Sequence, residues 1–142
     1  MMKVSSSVVI NKPVAEVFAY ATDPDKTTNW QGGLDKVIHE GPTNAVGAHW
    51  TEVRKFMGQE MKSQMEVTAF DPNARWGVKV VKGPVPFEVV TTFQQEGSGT
   101  RMTTELEGEP TGFFKMAEGV LKGQMQQTLD ENGQRLKKVL EG

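Results

Sequence analysis

Reaction chemistry in this chain would have to start from few residues, and the densest group of them is Trp50-x-Glu52-x-Arg54-x-Phe56. Residues two apart on a strand share a face. A strand here therefore sets a carboxylate and a guanidinium side by side, flanked by two aromatic rings. If that face turns inward, Glu52 becomes a candidate proton carrier in a dry site, partnered by Arg54. If a bulge or twist turns it outward, both charges sit in water. His49 shares the other face with Thr51, Val53 and Lys55 and is the second candidate for moving a proton. His39 and His49 are the only histidines, and there is no cysteine. Disulfides, thiolate nucleophiles and cysteine-based zinc sites are thereby excluded. A catalytic zinc usually takes three protein ligands, so it would need both histidines plus Glu40 or Glu52. Their spacing matches no metal motif, and neither a metal nor another cofactor is expected. Gly97-Ser98-Gly99 reads as a hairpin turn, not a phosphate loop.

The elements that must position these residues follow from periodicity. Val4, Ser6, Val8 and Ile10 alternate along a half-buried strand. Asn11 is placed to cap a helix that has Pro13 in its first turn and Val14, Val17, Phe18 and Ala21 on one face. Asp23-Pro24 stops it, and a second short helix is expected from Pro24 to about Trp30, ahead of a Gln31-Gly32-Gly33 turn. From Leu34 to Gly108 the period is two, broken at Gly41-Pro42, Met57-Gly58, Asp71-Pro72-Asn73, Gly83-Pro84 and Gly97-Ser98-Gly99. These are antiparallel strands with one dry face. The last of them turns Thr100, Met102, Thr104 and Leu106 inward, and Arg101, Thr103, Glu105 and Glu107 toward water.

Something must cover the dry face. After Glu109-Pro110, with Thr111 as the expected N-cap, a helical period runs nearly to the end of the sequence. Its apolar stripe is Phe113, Phe114, Ala117, Val120, Leu121, Met125, Leu129, Leu136, Val139 and Leu140. Gly119, Gly123 and Gly133 interrupt it, each at a cost of about 1 kcal/mol against alanine. Gly133 is read as a packing contact. Gly119 and Gly123 are compatible either with close packing or with room for a ligand.

The succession strand, two short helices, six strands, long helix resembles the helix-grip superfamily, also called SRPBCC or START-like, with its Bet v allergen-like fold. Within it the chain is similar to the bacterial branch related to polyketide cyclases and dehydrases. The resemblance is carried by Val9-Ile10-Asn11-Lys12-Pro13-Val14-Ala15-Glu16-Val17-Phe18, by Asp23-Pro24 with Trp30, and by Val46-Gly47. Phe70-Asp71-Pro72 with Arg75-Trp76, and Gly99-Thr100-Arg101-Met102, complete it. It implies an α+β helix-grip fold in which a curved antiparallel sheet of about seven strands wraps around a long C-terminal helix, as one domain over residues 1–142. Members of the superfamily include lipid-transfer domains, plant hormone and allergen proteins, and aromatic-ring cyclases. No catalytic residue is common to them, so none is carried over.

A sheet bent around one helix does not fill its own interior as two flat layers do, and the implied cavity is where function is expected. The sheet is expected to contribute Met65, Trp76, Phe87, Val89 and Met102, with Thr91 and Thr104 as neutral polar spots. The helix is expected to add Phe114, Ala117, Val120, Leu121 and Gln124. Trp30 and Trp50 are expected at the rim, where an indole N–H can orient a polar group. Each of these residues, taken alone, is intelligible simply as core. The hydroxyls have no evident activating partner, so they are hydrogen-bonding groups and not nucleophiles.

Such a lining suits a small hydrophobic molecule. Three functions stay open: a carrier of a lipid, polyketide-like or aromatic guest; a cyclase or dehydratase using Glu52 or His49; and a partner-binding module that pairs through a sheet edge. With 16 basic and 18 acidic residues, a formal charge of −2 gives no attraction to nucleic acid or an anionic bilayer. Residues 1–12 alternate apolar and polar, unlike a signal peptide or membrane span. A cytoplasmic monomer or homodimer without integral membrane association is expected.

Overall fold

The computed structural model describes residues 1–56 and 58–142, with the side chains of Phe56, Phe113 and Phe114 outside the described set. Strand β1 (Met2–Ile10) leads to helix α1 (Val14–Ala21) and a 3-10 turn at Thr27–Asn29. Six strands follow: β2 (Leu34–His39), β3 (His49–Phe56), β4 (Gln59–Asp71), β5 (Arg75–Lys82), β6 (Phe87–Glu96) and β7 (Gly99–Gly108). A short helix α2 (Phe113–Met116) and the long helix α3 (Glu118–Glu141) end the chain. The seven strands form one antiparallel sheet in the order β1-β7-β6-β5-β4-β3-β2. This is the α+β helix-grip fold: a curved sheet with the long C-terminal helix lying in its grip.

The alternation seen in the sequence sets the register. Val8 pairs with Met102, which pairs with Phe93; Val4 pairs with Leu106, which pairs with Val89. All of these point to the concave face, because side chains directly opposite one another lie on the same side. Ser6, Thr104, Thr91 and Trp76 form a matching row across β1, β7, β6 and β5. Irregularities in the pairing of β4 with β5, between Gln64 and Met65 and between Val67 and Ala69, add bend to the sheet.

Two apolar clusters result. One gathers Val8, Ile10, Val17, Phe18, Trp30, Trp50, Trp76, Phe93 and Leu136 beneath α1 and the end of α3. Phe18 meets Phe70 and Phe93 edge to face, at 5.3 and 5.0 Å between ring centres. The other gathers Met2, Val4, Met61, Val85, Leu106, Leu121 and Met125 toward the opposite end.

Several local expectations are corrected. Asn11 does not cap α1: the residue before the helix is Pro13, which has no side-chain capping bond. Asn11 instead donates its backbone N–H to Glu141 at the end of α3. The expected second helix is only the 3-10 turn, in which the Thr27 hydroxyl donates to the Pro24 carbonyl. The terminal helix does not run unbroken from Thr111. Ala117 stands between α2 and α3 at φ −103°, ψ 24°, and beyond this turn Val120 is exposed while its neighbour Leu121 is fully buried. Among the glycines of α3, only Gly133 is a close approach, its missing Cβ facing Val8; an added Cβ at Gly119 or Gly123 would meet nothing within 4 Å.

Candidate functional site

Between the concave face and α3 lies a cavity of about 120 Å³, a volume on the scale that admits one aromatic ring. Its floor is the sheet: Met61, Ser63 and Met65 from β4, Trp76 and Val78 from β5, Phe87, Val89 and Thr91 from β6, and Met102, Thr104 and Leu106 from β7. Its roof is one face of α3, Met125, Thr128, Leu129, Asn132 and Gly133, and its end wall is Trp30, Gln31 and Gly32 with Trp50, Glu52, Arg54 and Lys55.

The end wall depends on a tight turn. Gly33 sits at φ +80°, where a Cβ would come within 2.6 Å of the Lys55 carbonyl, so only glycine fits. Lys55 donates its backbone N–H back to the Gly33 carbonyl at 2.7 Å. From the other side, Asn132 on α3 accepts the Gly32 N–H at 2.8 Å, and Arg135 donates to the Trp30 carbonyl at 2.8 Å. The segment carrying Trp30 and Gln31 is thus held between β3 and α3.

Strand β3 turns its Trp50 face inward, which settles the ambiguity of that strand. Trp50 is 1% exposed and Glu52 is 7% exposed. Glu52 accepts from the Trp50 indole N–H at 3.3 Å and from Arg54 Nη2 at 2.9 Å, and the same Arg54 nitrogen donates to Gln31 Oε1 at 3.0 Å. The Trp50 ring stacks on Trp76, with centres 6.4 Å apart and planes 17° apart. A buried charge costs heavily unless it is paired and hydrogen-bonded, and Glu52 has both forms of support. The indole nitrogens of Trp30 and Trp76 have none: both are buried without a hydrogen-bond partner among the described residues, a state that costs about 1–3 kcal/mol each.

The cavity brings together Trp30, Trp50, Met65, Trp76, Phe87, Val89, Thr91, Met102 and Thr104 from the expected set. Leu121 is fully buried, but in the second apolar cluster and not on the cavity wall. Ala117, Val120 and Gln124 are also off the wall, Val120 and Gln124 being exposed, because the face of α3 that meets the sheet runs through Leu121, Met125 and Leu129. Phe114 lies outside the described side chains. His49 is exposed on the opposite face of β3, its Nδ1 3.5 Å from the Gly47 carbonyl, and has no access to the cavity. His39 pairs with Asp25 at the surface. No group of three histidine or carboxylate side chains among the described residues could hold a metal.

Reading for apolar stripes missed Thr128 and Asn132. They continue the three-to-four-residue spacing from Leu121 through Met125 to Leu136 and could have been found by position. It also missed Gln31 and Gly32, which only the Gly33 turn brings to the wall.

A family model described as polyketide cyclase/dehydrase and lipid transport matches residues 1–141. None of the curated proteins matches the chain. Among solved structures, a protein of Thermus thermophilus superposes with a TM-score of 0.84 at 19% identity, covering 96% of this chain and 94% of that one. A START superfamily protein from Mycobacterium smegmatis gives 0.71 at 13% identity, over 98% and 99%. The protein Ara h 8.0201 gives 0.68 at 13% identity, over 99% and 98%. At these identities the likeness is one of fold. No described helix is long and apolar enough to cross a membrane.

Proposed function

Because this chain belongs to the polyketide cyclase/dehydrase and lipid transport family and closes its sheet around an apolar hollow, we propose that it binds a small hydrophobic molecule there. The guest is lipid, polyketide-like or aromatic. The observation that carries this reading is the lining itself: tryptophan, methionine and branched aliphatic side chains around space that the chain's own atoms leave empty. Apolar surface that a guest buries against such a lining contributes roughly 25 cal/mol per Å² before ordering costs. All three tryptophans of the sequence line the cavity, so their emission reports on occupancy. Native mass spectrometry of protein purified from its host, with titration of fluorescent fatty acids and aromatic dyes, tests the proposal. Saturable uptake at one site supports it, and an interior that takes up no guest sinks it.

One observation favours a second reading, an enzyme acting on the same guest. Glu52 is a buried carboxylate on the cavity wall, the kind of group that can move a proton on a ketone held there. In this reading Glu52 carries the proton and Arg54 holds it in place. Glu52→Gln should then abolish turnover of the guest while leaving its uptake intact, whereas undiminished turnover removes the assignment.

A further inference from the structure

The sheet ends in two strands, β1 and β2, and they are finished differently. An uncovered edge offers unpaired N–H and C=O groups to another strand. Along β1, helix α3 closes the edge: Gln126 Nε2 donates to the Ser5 carbonyl at 2.8 Å, and Lys137 Nζ to the Val9 carbonyl at 2.7 Å. Strand β2 pairs with β3 alone, and among the described residues no hydrogen bond reaches its outer edge. Val37 and His39 stand opposite Glu52 and Trp50 and so face the concave side, where His39 meets Asp25. Lys36 and Ile38 stand opposite Val53 and Thr51 on the convex side, and Glu40, just past the strand, continues their alternation. Ile38 is 44% exposed. Lys36 and Glu40 are both exposed and have no ion-pair partner among the described residues.

We propose that the β2 edge joins a second copy of this chain, antiparallel about a two-fold axis at Ile38, so that one sheet continues into the next. Charge selects both the occupant and the register. In this pairing Lys36 of each copy lies opposite Glu40 of the other, and the two exposed Ile38 side chains meet between these pairs. Opposite charges facing each other across strands stabilise, and like charges oppose pairing. Neighbouring registers lack the match. Centring on Lys36 sets lysine against lysine, and centring between Val37 and Ile38 sets Asp35 against Glu40. Centring on Val37 sets Asp35, at the irregularity between Leu34 and Lys36, against a His39 that Asp25 already holds. The edge that α3 leaves bare is therefore complementary to itself, as a two-fold contact requires. So short a contact makes a weak, concentration-dependent dimer, whatever occupies the cavity.

Sedimentation velocity of the full chain, at concentrations up to about 1 mM, tests the association. The unaltered chain should pass from monomer to dimer as its concentration rises. Ile38→Glu sets two carboxylates face to face at the axis and should raise the dissociation constant at least about tenfold. Its circular dichroism should stay that of the unaltered chain, since the altered side chain faces water. Lys36→Glu and Glu40→Lys, each alone, set like charges across the junction and should also weaken self-association. Mixed in equal amounts, these two variants should associate with each other as the unaltered chain does with itself, because their exchanged charges are complementary. Lys36→Glu combined with Glu40→Lys in one chain should likewise restore the dimer. Such rescue is peculiar to this register. A dimer indifferent to Ile38→Glu, or single variants that mixing does not rescue, would overturn the proposal. A chain that stays monomeric throughout would overturn it as well, leaving the edge to a strand from some other protein.

Discussion

Trp50 and Glu52, two residues apart on β3, are joined across 3.3 Å by an indole-to-carboxylate hydrogen bond. The bond makes an inward charge tolerable, because Glu52 receives Trp50 on one oxygen and Arg54 on the other. Replacing Glu52 by leucine would strand the indole N–H and leave Arg54 with Gln31 alone. The side chain of Arg54 is 21% exposed, so water recovers part of the loss. The expected destabilisation is about 1–3 kcal/mol, read from the urea midpoint. Glu52→Leu combined with Arg54→Leu should cost less than the sum of the two single changes, since an uncompensated charge is the expensive species.

The three helix glycines should separate by their surroundings. Gly119→Ala and Gly123→Ala place a methyl in open space and should each raise stability by about 0.5–1 kcal/mol through helix propensity alone. At Gly133 a Cβ would lie 3.3 Å from Val8 Cγ1, so alanine gains little, and leucine should cost about 1–3 kcal/mol by prising α3 from β1. Thermal melts of the three alanine variants, compared in one buffer, would show whether the contact is as close as described.

Much of this is legible in the sequence, for a physical reason. Strands with one wet and one dry face write their orientation into every second residue, so the inward rows of β4 to β7 could be read directly. Strand β3 could not be read this way. Val53, on the face away from Trp50, is 3% exposed, so both faces of β3 bury something and alternation loses its meaning. On α3 the difficulty is opposite: apolar identity does not give inward direction. Val120 is apolar yet 64% exposed, while Asn132 is polar yet 7% exposed. Asn132 faces inward because it grips the Gly32 N–H, a partner 100 residues away in sequence that no local pattern reveals.

Acid should loosen the end of α3. Glu141 accepts the Asn11 backbone N–H at 2.7 Å and Lys137 at 2.7 Å. The Asn11 bond first, and Lys137 second, hold its carboxyl below the ordinary value of 4.5. A carboxyl depressed in the folded state binds its proton more readily when unfolded. Its stabilising contribution is therefore complete above the ordinary value and is lost as pH falls below it through the folded value. Glu141→Gln should flatten the acid limb of the stability profile below about pH 4.5 and change little near neutrality beyond the loss of one surface bond. Denaturant midpoints at several pH values, taken at low salt, measure the slope.

Filling the hollow should cost binding without costing the fold. Val89 lies on the cavity floor between Val78 and Leu106, its cross-strand partners, and is only partly buried because it borders empty space. Phenylalanine at this position would extend into a volume of about 120 Å³ with no polar group to strand. The change in stability should therefore stay within about 1 kcal/mol, because burying the ring offsets the strain of repacking. Uptake of a ring-sized guest should fall at least tenfold, since guest and side chain compete for the same space. Leu121→Phe is the comparison: it enlarges a fully buried residue that does not itself line the cavity but packs among Met61, Leu106 and Met125, which do, so overpacking there should lower stability by about 1–3 kcal/mol and reduce uptake less than Val89→Phe does. Titrating both variants with one aromatic dye, alongside their urea midpoints, separates loss of the hollow from general disorder. If Val89→Phe binds the dye as the unaltered chain does, the guest sits elsewhere.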